Sequence, residues 1–428
     1  MTLAEKLALL SHCNGGRDKS NNAAKPEASS VLRRENEHDR SGPANAGYRA
    51  LPSSILEAPL AREYTVRPDE GATDTALAEI MALPEQYWRC LLEAIHPRAV
   101  YMKGLPGLLF FDLETTGLGG AGCYAFLTGA LCFVDGKFII KQFFLPHPAL
   151  EREYLNAVED YFSTFGAVVS YNGLRFDAPL LAMRAARQKK KPFLPASHYD
   201  LLYGARAFWS EHYENCRLKT LEREVCSFAR SADDIDGSKI PDIYIQWLHD
   251  GNAAPLEPVF EHNRADLIAL LHLAANMAVI IADTHAPRLS AGNWAPPTIQ
   301  SLIWLAERAR KAGDETRART LLQKAVMLPG TENARIRSAL LLTRLLRKSG
   351  EYQNAADILE ELHTQGIYTA MSLITLAWIY ERYLNDAAKA YAFYTECRKI
   401  PEHHAATRQY LGKRCARALA RVGAKLHP

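Results

Sequence analysis

The sequence predicts an α/β domain, a mixed sheet flanked by helices, followed by an all-α domain of paired helices. Between about 105 and 187, β-rich runs and helical patterns follow in the order strand, strand, strand, helix, strand, helix, which builds a mixed sheet with helices on it. Pro287, Pro296 and Pro297 then punctuate the chain, and every periodic stretch beyond them is helical. Within that stretch the small-residue anchors Ala318, Ala355 and Ala390 recur 37 and then 35 residues apart, near the roughly 34-residue period of stacked helix hairpins. At 428 residues the chain exceeds what one core usually supports. The expected division is a mostly disordered N-terminal segment with a short helix (1–75), the α/β domain (76–285) and the helical repeat domain (286–428).

Each element has its own cause. Residues 12–60 are rich in Gly, Ser, Asn, Pro and charge and have too little apolar surface to order themselves. Leu77 to Ile95 is helical, with Tyr87, Trp88, Leu91 and Leu92 available for packing. An apolar run from Leu105 to Phe111 reads as a strand, and so do Tyr124 to Val134 and Lys137 to Leu145, joined by the Asp135-Gly136 turn of a hairpin. The amphipathic pattern Glu151 to Phe165 follows, then the short strand Ala167 to Tyr171, the Asn172-Gly173 turn and a helix through Leu180, Leu181, Met183 and Ala186. Glu261 to Met277 is the strongest helical pattern of the α/β part.

Four carboxylates fall in three of these segments. Asp112 and Glu114 arrive as the first apolar run ends, and at i and i+2 of a strand they point to one face. Two acids side by side raise each other's pKa unless a cation lies between them, and hard oxygen donors suit Mg²⁺ or Mn²⁺. Asp177 stands before a helix led by Pro179, where capping is the ordinary role of an Asp. His262 and Asp266, four residues apart, share one helix face, so a metal ligand and a proton acceptor meet one cleft. Two ions roughly 4 Å apart would share the acids, one activating water and the other stabilising the leaving oxygen. Asp112, Glu114, Asp177 and Asp266 are thus the candidate metal ligands, with His262 as a further catalytic candidate. Thr115 and Thr116, which open a glycine-rich loop, Asn172 and Arg264 are the candidate substrate-binding residues.

The stretches Phe111-Asp-Leu-Glu-Thr-Thr-Gly-Leu118, Tyr171-Asn-Gly-Leu-Arg-Phe-Asp-Ala-Pro-Leu-Leu181 and His262-Asn-Arg-Ala-Asp-Leu267 give the pattern a name. Residues 108 to 278 resemble the DEDD superfamily of 3′-to-5′ exonucleases on a ribonuclease H-like fold. They are more closely similar to a YprB-type family that joins this domain to TPR repeats. Asp200-Leu-Leu, Cys216 to Glu222 and Asp233 to Pro241 resemble that family's internal landmarks. The resemblance implies a two-metal exonuclease followed by TPR-like repeats. In one respect the chain departs: superfamily members carry a Tyr four residues before the last Asp or a His five before it, whereas here a His holds the four-residue spacing. The identity of the general base stays open on that ground.

Composition bounds the setting. The 48% hydrophobic and 23% charged content is that of a soluble globular chain. Eight cysteines without a C-x-x-C pair indicate neither zinc nor a disulfide framework, and a reducing cytoplasm is expected. Glu5 and Lys6 interrupt the apolar amino terminus, so it lacks a signal-peptide core. Leu267 to Ala282, with His272 and Asn276, is short for a bilayer span, so no membrane partner is expected. From residue 287 onward 22 Lys and Arg face 12 Asp and Glu, +10, which leaves −7 upstream. The basic helices could thus supply phosphate contacts to a single-stranded nucleic acid, or a concave surface to a protein partner. Arg184, Arg187 and Lys189 to Lys191 are nearer candidates for such contacts. The competing expectation is a catalytically weak or inactive adaptor that keeps the fold and works through its repeats.

Overall fold

Six strands pair into one mixed sheet in the order β1-β4-β3-β2-β5-β6: β1 (Ala61–Thr65), β2 (Leu108–Thr115), β3 (Ala125–Val134), β4 (Lys137–Phe144), β5 (Ala167–Ser170) and β6 (Ser197–Asp200). The first four pair antiparallel, whereas β5 and β6 run parallel to β2. The structure, a computed structural model, describes residues 61–66, 74–96, 104–117, 120, 122–226, 230, 234–282, 297–400, 412–413 and 415–422. The expected disordered stretch 12–60, Leu118, Gly119, Asp233, Pro287 and Pro296 lie outside them. Two compact units emerge: one takes in the described residues up to Leu92, between 99 and 203 and between 215 and 294, the other those from 93 to 98, 204 to 214 and from 295 on.

In the sheet unit, the helical stretch expected over Leu77 to Ile95 is two helices, α1 (Asp74–Ala82) and α2 (Glu85–Ile95). Pro84 separates them because it has no N–H to give the ladder. Ala61–Thr65, inside the expected mostly disordered segment 1–75, is an edge strand paired with β4. The hairpin falls where Asp135-Gly136 predicts it, with both residues at positive φ (49° and 76°), the two-residue turn whose twist matches its strands. Next come α3 (Glu151–Phe162), α4 (Asp177–Arg187), α5 (Leu202–Trp209), most of whose residues belong to the other unit, α6 (Leu218–Glu224), α7 (Ile240–Asp250) and α8 (Glu257–Ala282).

Alternation along β2 decides what covers each face. Phe111 turns to α3, its ring 5.7 Å from that of Phe162, and Asp112 turns to α8, where Asn263 meets it. The helix α8 packs on β2, β3 and α6. At 26 residues it is longer than the expected Leu267–Ala282 run, and with the turn before it is long and apolar enough to cross a membrane. The burial of 83% of its apolar window instead makes it the central helix of this unit.

The helical unit contains α9 (Ile299–Lys311), α10 (Glu315–Met327), α11 (Glu332–Lys348), α12 (Tyr352–Thr364), α13 (Ala370–Ile379) and α14 (Ala387–Lys399). Each packs on the next. The recurring Gly313, Gly350 and Asn385 take φ of 88°, 78° and 55°, left-handed stops after the first helix of each pair. Asp314 and Asp386 then cap the second helix by accepting from the Arg317 and Lys389 amides. Ala318, Ala355 and Ala390 follow within one turn and are fully buried, which lets the paired helices approach closely.

Candidate active site

The three acidic segments converge at β2, the start of α4 and the first half of α8. Asp112 and Glu114 lie within β2, whose pairing continues past the apolar run to Thr115 because β3 stays in register beside it. The register shifts between Glu114 and Thr115, ending the regular ladder just beyond the second acid. Asp177 is the first residue of α4, and the capping position belongs to Phe176, which makes no side-chain cap. Asp177 thus lies one position inside the helix start, and its charge acts on both Asp112 and Glu114.

Their mutual influence records the convergence. Burial, then the charges of Asp266, Glu114 and Asp177, hold the Asp112 carboxyl well above the usual carboxylate range, with Asn263 pulling the other way. Glu114 is raised in the same way by burial, Asp266 and Asp177, and Arg230 offsets part of it. Asp177 is pushed up to about 7, by burial first and by Asp200 second. Ligand atoms of Glu114, His262 and Asp266 all lie within 4.8 Å of one another. An all-carboxylate donor set with a neighbouring imidazole, and more negative charge than its own cations compensate, fits a hard divalent ion.

Raised carboxyl pKa values fix the sign of a pH effect. A group that binds its proton more tightly folded than unfolded contributes stability in full below the unfolded pKa, near 4, and loses it as pH rises through the folded value. The metal-free protein should therefore melt progressively lower between pH 5 and pH 8. For Asp177 a rise from 3.8 to about 7, discounted by half for solvent access, is on the order of 2 kcal/mol, or about 4–8 °C in a unit of this size. Saturating Mn²⁺ should flatten the slope. A differential scanning series across that range, with and without the ion, measures it.

Several positioning residues carry no signal of their own in the sequence. Asn263, fully buried, donates to Asp112 at 3.1 Å and accepts from Gln142 at 2.9 Å, and Gln142 also donates to the Phe260 carbonyl. Asp112, Gly129 and Gln142 sit side by side across β2, β3 and β4. A Cβ on Gly129 would fall 2.0 Å from the Asn263 amide oxygen, so only glycine leaves room for that amide. Gly129→Ala should cost roughly 1–3 kcal/mol through overpacking and weaken Mn²⁺ binding about 10–100-fold by releasing Asp112. Calorimetric titration and thermal melts separate the two effects. Buried Asp200 accepts from the Asn172, Leu174 and Leu202 amides at 2.8, 3.1 and 3.0 Å and holds the turn that delivers Asp177.

On α8, His262 donates from Nδ1 to Asp234 at 2.7 Å, which leaves Nε2 as the acceptor, 3.7 Å from Asp266. Arg230 reaches Glu222, Asp234, Asp266 and His262. Arg230, Asp234, His262 and Asp266, with Leu218, Lys219, Asp236 and Gly237, line a cleft of about 440 Å³. Asn263 stands within the His-Asn-Arg stretch, and Asp200 and Glu222 within the other quoted stretches, so neighbourhood pointed toward them. Arg230 lies in a stretch without periodicity.

The expected substrate contacts divide. Thr115 donates to the Gly117 carbonyl at 2.7 Å and Thr116 accepts from the Tyr124 amide at 2.9 Å, so both hydroxyls brace the loop beside Glu114. Asn172 adopts φ 65° at the turn. Arg264 pairs with Glu261 at 2.5 Å and lies by the Tyr64 ring. Two positions along a helix turn a side chain by about 200°, so Arg264 faces away from His262 and Asp266. Arg184 is buried against Glu151 instead of serving a polyanion.

Comparison with known proteins fits this geometry. Residues 109–278 match the family model of the RNase H superfamily. The chain is 34% identical over 189 residues to the uncharacterized protein YprB of Bacillus subtilis (strain 168). That alignment covers 42% of this chain and 44% of YprB, so it spans less than half of either protein. The sheet unit has an RNase H-like fold, and the C-terminal region beyond it is all-α.

Proposed function

We propose that this RNase H-like unit is a metal-dependent 3′-to-5′ exonuclease of the DEDD type, acting on single-stranded DNA or RNA. The observation that carries the reading is the gathering of Asp112, Glu114, Asp177 and Asp266 from three elements, with Asp266 and Asp177 close enough to raise the carboxyl pKa values of Asp112 and Glu114. These carboxylates would hold two Mg²⁺ or Mn²⁺ ions. Bound there, the ions would lower the pKa of the attacking water and offset charge on the phosphate and leaving oxygen. Asp234 holds His262 by Nδ1 and leaves Nε2 to take the water's proton. On this reading Thr115, Thr116 and Asn172 would border the terminal nucleotide, and exposed Lys219 at the cleft rim can meet a phosphate.

The helical unit is read as TPR-like repeats that bind a protein partner or extend the nucleic-acid path over their basic faces. A cytoplasmic setting belongs to the same reading. A non-catalytic adaptor is the second reading, favoured by one observation: Arg230 already pairs with Asp266.

The test is digestion of 5′-labelled and 3′-labelled single strands of DNA and RNA with Mg²⁺, Mn²⁺ or EDTA. A metal-dependent ladder from the 5′ label, with early release of a labelled mononucleotide from the 3′ label, is expected. Intact strands with either ion would leave the adaptor.

A further inference from the structure

Arg230 is the one cation among the described residues paired with any of the four clustered acids. Its side chain is 7% exposed. Nε donates to both Glu222 oxygens at 2.8 and 2.9 Å, and Nη2 to Glu222 Oε2 at 2.6 Å and to Asp266 Oδ1. Nη1 lies 3.6 Å from Asp234 and 3.3 Å from His262 Nδ1. Asp234 also has Lys219 at 2.8 Å. Glu222, 2% exposed, anchors the Nε–Nη2 edge of the guanidinium, and the same Nη2 also donates to Asp266. Asp112, by contrast, has only the neutral Asn263 amide, and no described cation pairs with Glu114 or Asp177.

We infer that Arg230 is the resident counter-cation of Asp266 and competes with a divalent ion for that carboxylate. The two halves of the acidic cluster are then unequal. Asp112, Glu114 and Asp177 take an ion with nothing to displace, and an ion drawing on Asp266 meets a fixed positive group whose hydrogen bond to that carboxylate it must displace. Like charges at such short range repel strongly where water is excluded. The inference rests on the reading of the acids as ion ligands. It adds that ions enter in sequence, and that Arg230 sets the concentration at which the second one does.

The test is calorimetric titration of the full chain with MnCl₂, with electron paramagnetic resonance counting bound ions. In the wild type, two Mn²⁺ sites separated at least tenfold in Kd are expected. Removing Arg230 alone would strand buried Glu222, so the informative variant is Arg230→Gln with Glu222→Gln, which withdraws both charges together. It should tighten the weaker site at least tenfold and leave the stronger one in place. Arg230→Lys, which keeps the charge, should keep the split. Two equal sites in the wild type, or a weaker site unchanged or lost in the double variant, overturns the competition while leaving the metal-site reading intact. Absence of any bound Mn²⁺ in the wild type overturns both.

Discussion

Asp112→Asn should make the metal-free protein more stable and abolish the proposed nuclease activity at once. Asp112 is held well above the normal carboxylate range by burial and by three neighbouring acids, so above neutral pH its charge opposes folding. An amide of the same shape removes that opposition and still accepts the Asn263 bond. The gain is expected at pH 8 and should shrink as pH falls through the raised carboxyl value. A lost metal ligand is worth several kcal/mol of transition-state stabilisation, so cleavage should fall roughly 10³-fold or more. A higher melting temperature together with lost Mn²⁺ binding and lost cleavage identifies a site built at the cost of stability. A destabilised Asp112→Asn protein would instead assign Asp112 a structural role.

The acids were legible because each sits where an apolar pattern breaks, and periodicity alone put Asp112 with Glu114 and His262 with Asp266 on shared faces. The convergence of the three segments was not, since it depends on strand order. Neighbours such as Gln142 and Asn263 are 121 residues apart, and nothing local relates them. The edge strand Ala61–Thr65 escaped notice for the same reason, because it is ordered by β4 and not by its own composition. Arg264 misled because its sequence neighbours are functional candidates while helix geometry turns it to the opposite side. The helical character of the C-terminal part was readable because its helix stops at Gly313, Gly350 and Asn385 are local features.

Breaking the ion pair between Glu151 and Arg184 should have the largest effect on stability. Both side chains are almost fully buried and meet in two parallel bonds, Nε to Oε1 at 2.5 Å and Nη2 to Oε2 at 2.7 Å. Gln188 adds a third bond at 2.7 Å, and the guanidinium lies 3.8 Å above the Tyr124 ring. The pair ties α3 to α4, and α4 begins with Asp177. Glu151→Ala leaves a buried guanidinium uncompensated, at about 3–5 kcal/mol. In a unit of this size that is roughly 6–20 °C of melting temperature. The double change Glu151→Leu with Arg184→Met should recover most of the loss, because apolar groups of similar volume replace a buried pair with little penalty. A double-mutant cycle by thermal and denaturant melts measures the coupling, and additive losses would show the two residues act separately.

The helix α8 carries Asn263, His262 and Asp266 near one end and a long greasy run at the other, so it behaves as a single lever seated in oil. Sliding it along the sheet by one residue would swing its side chains by about 100° and withdraw all three groups together. Half-assembled versions of this centre should therefore be scarce: as the protein unfolds, its capacity for ions and its α8 packing ought to vanish in the same step.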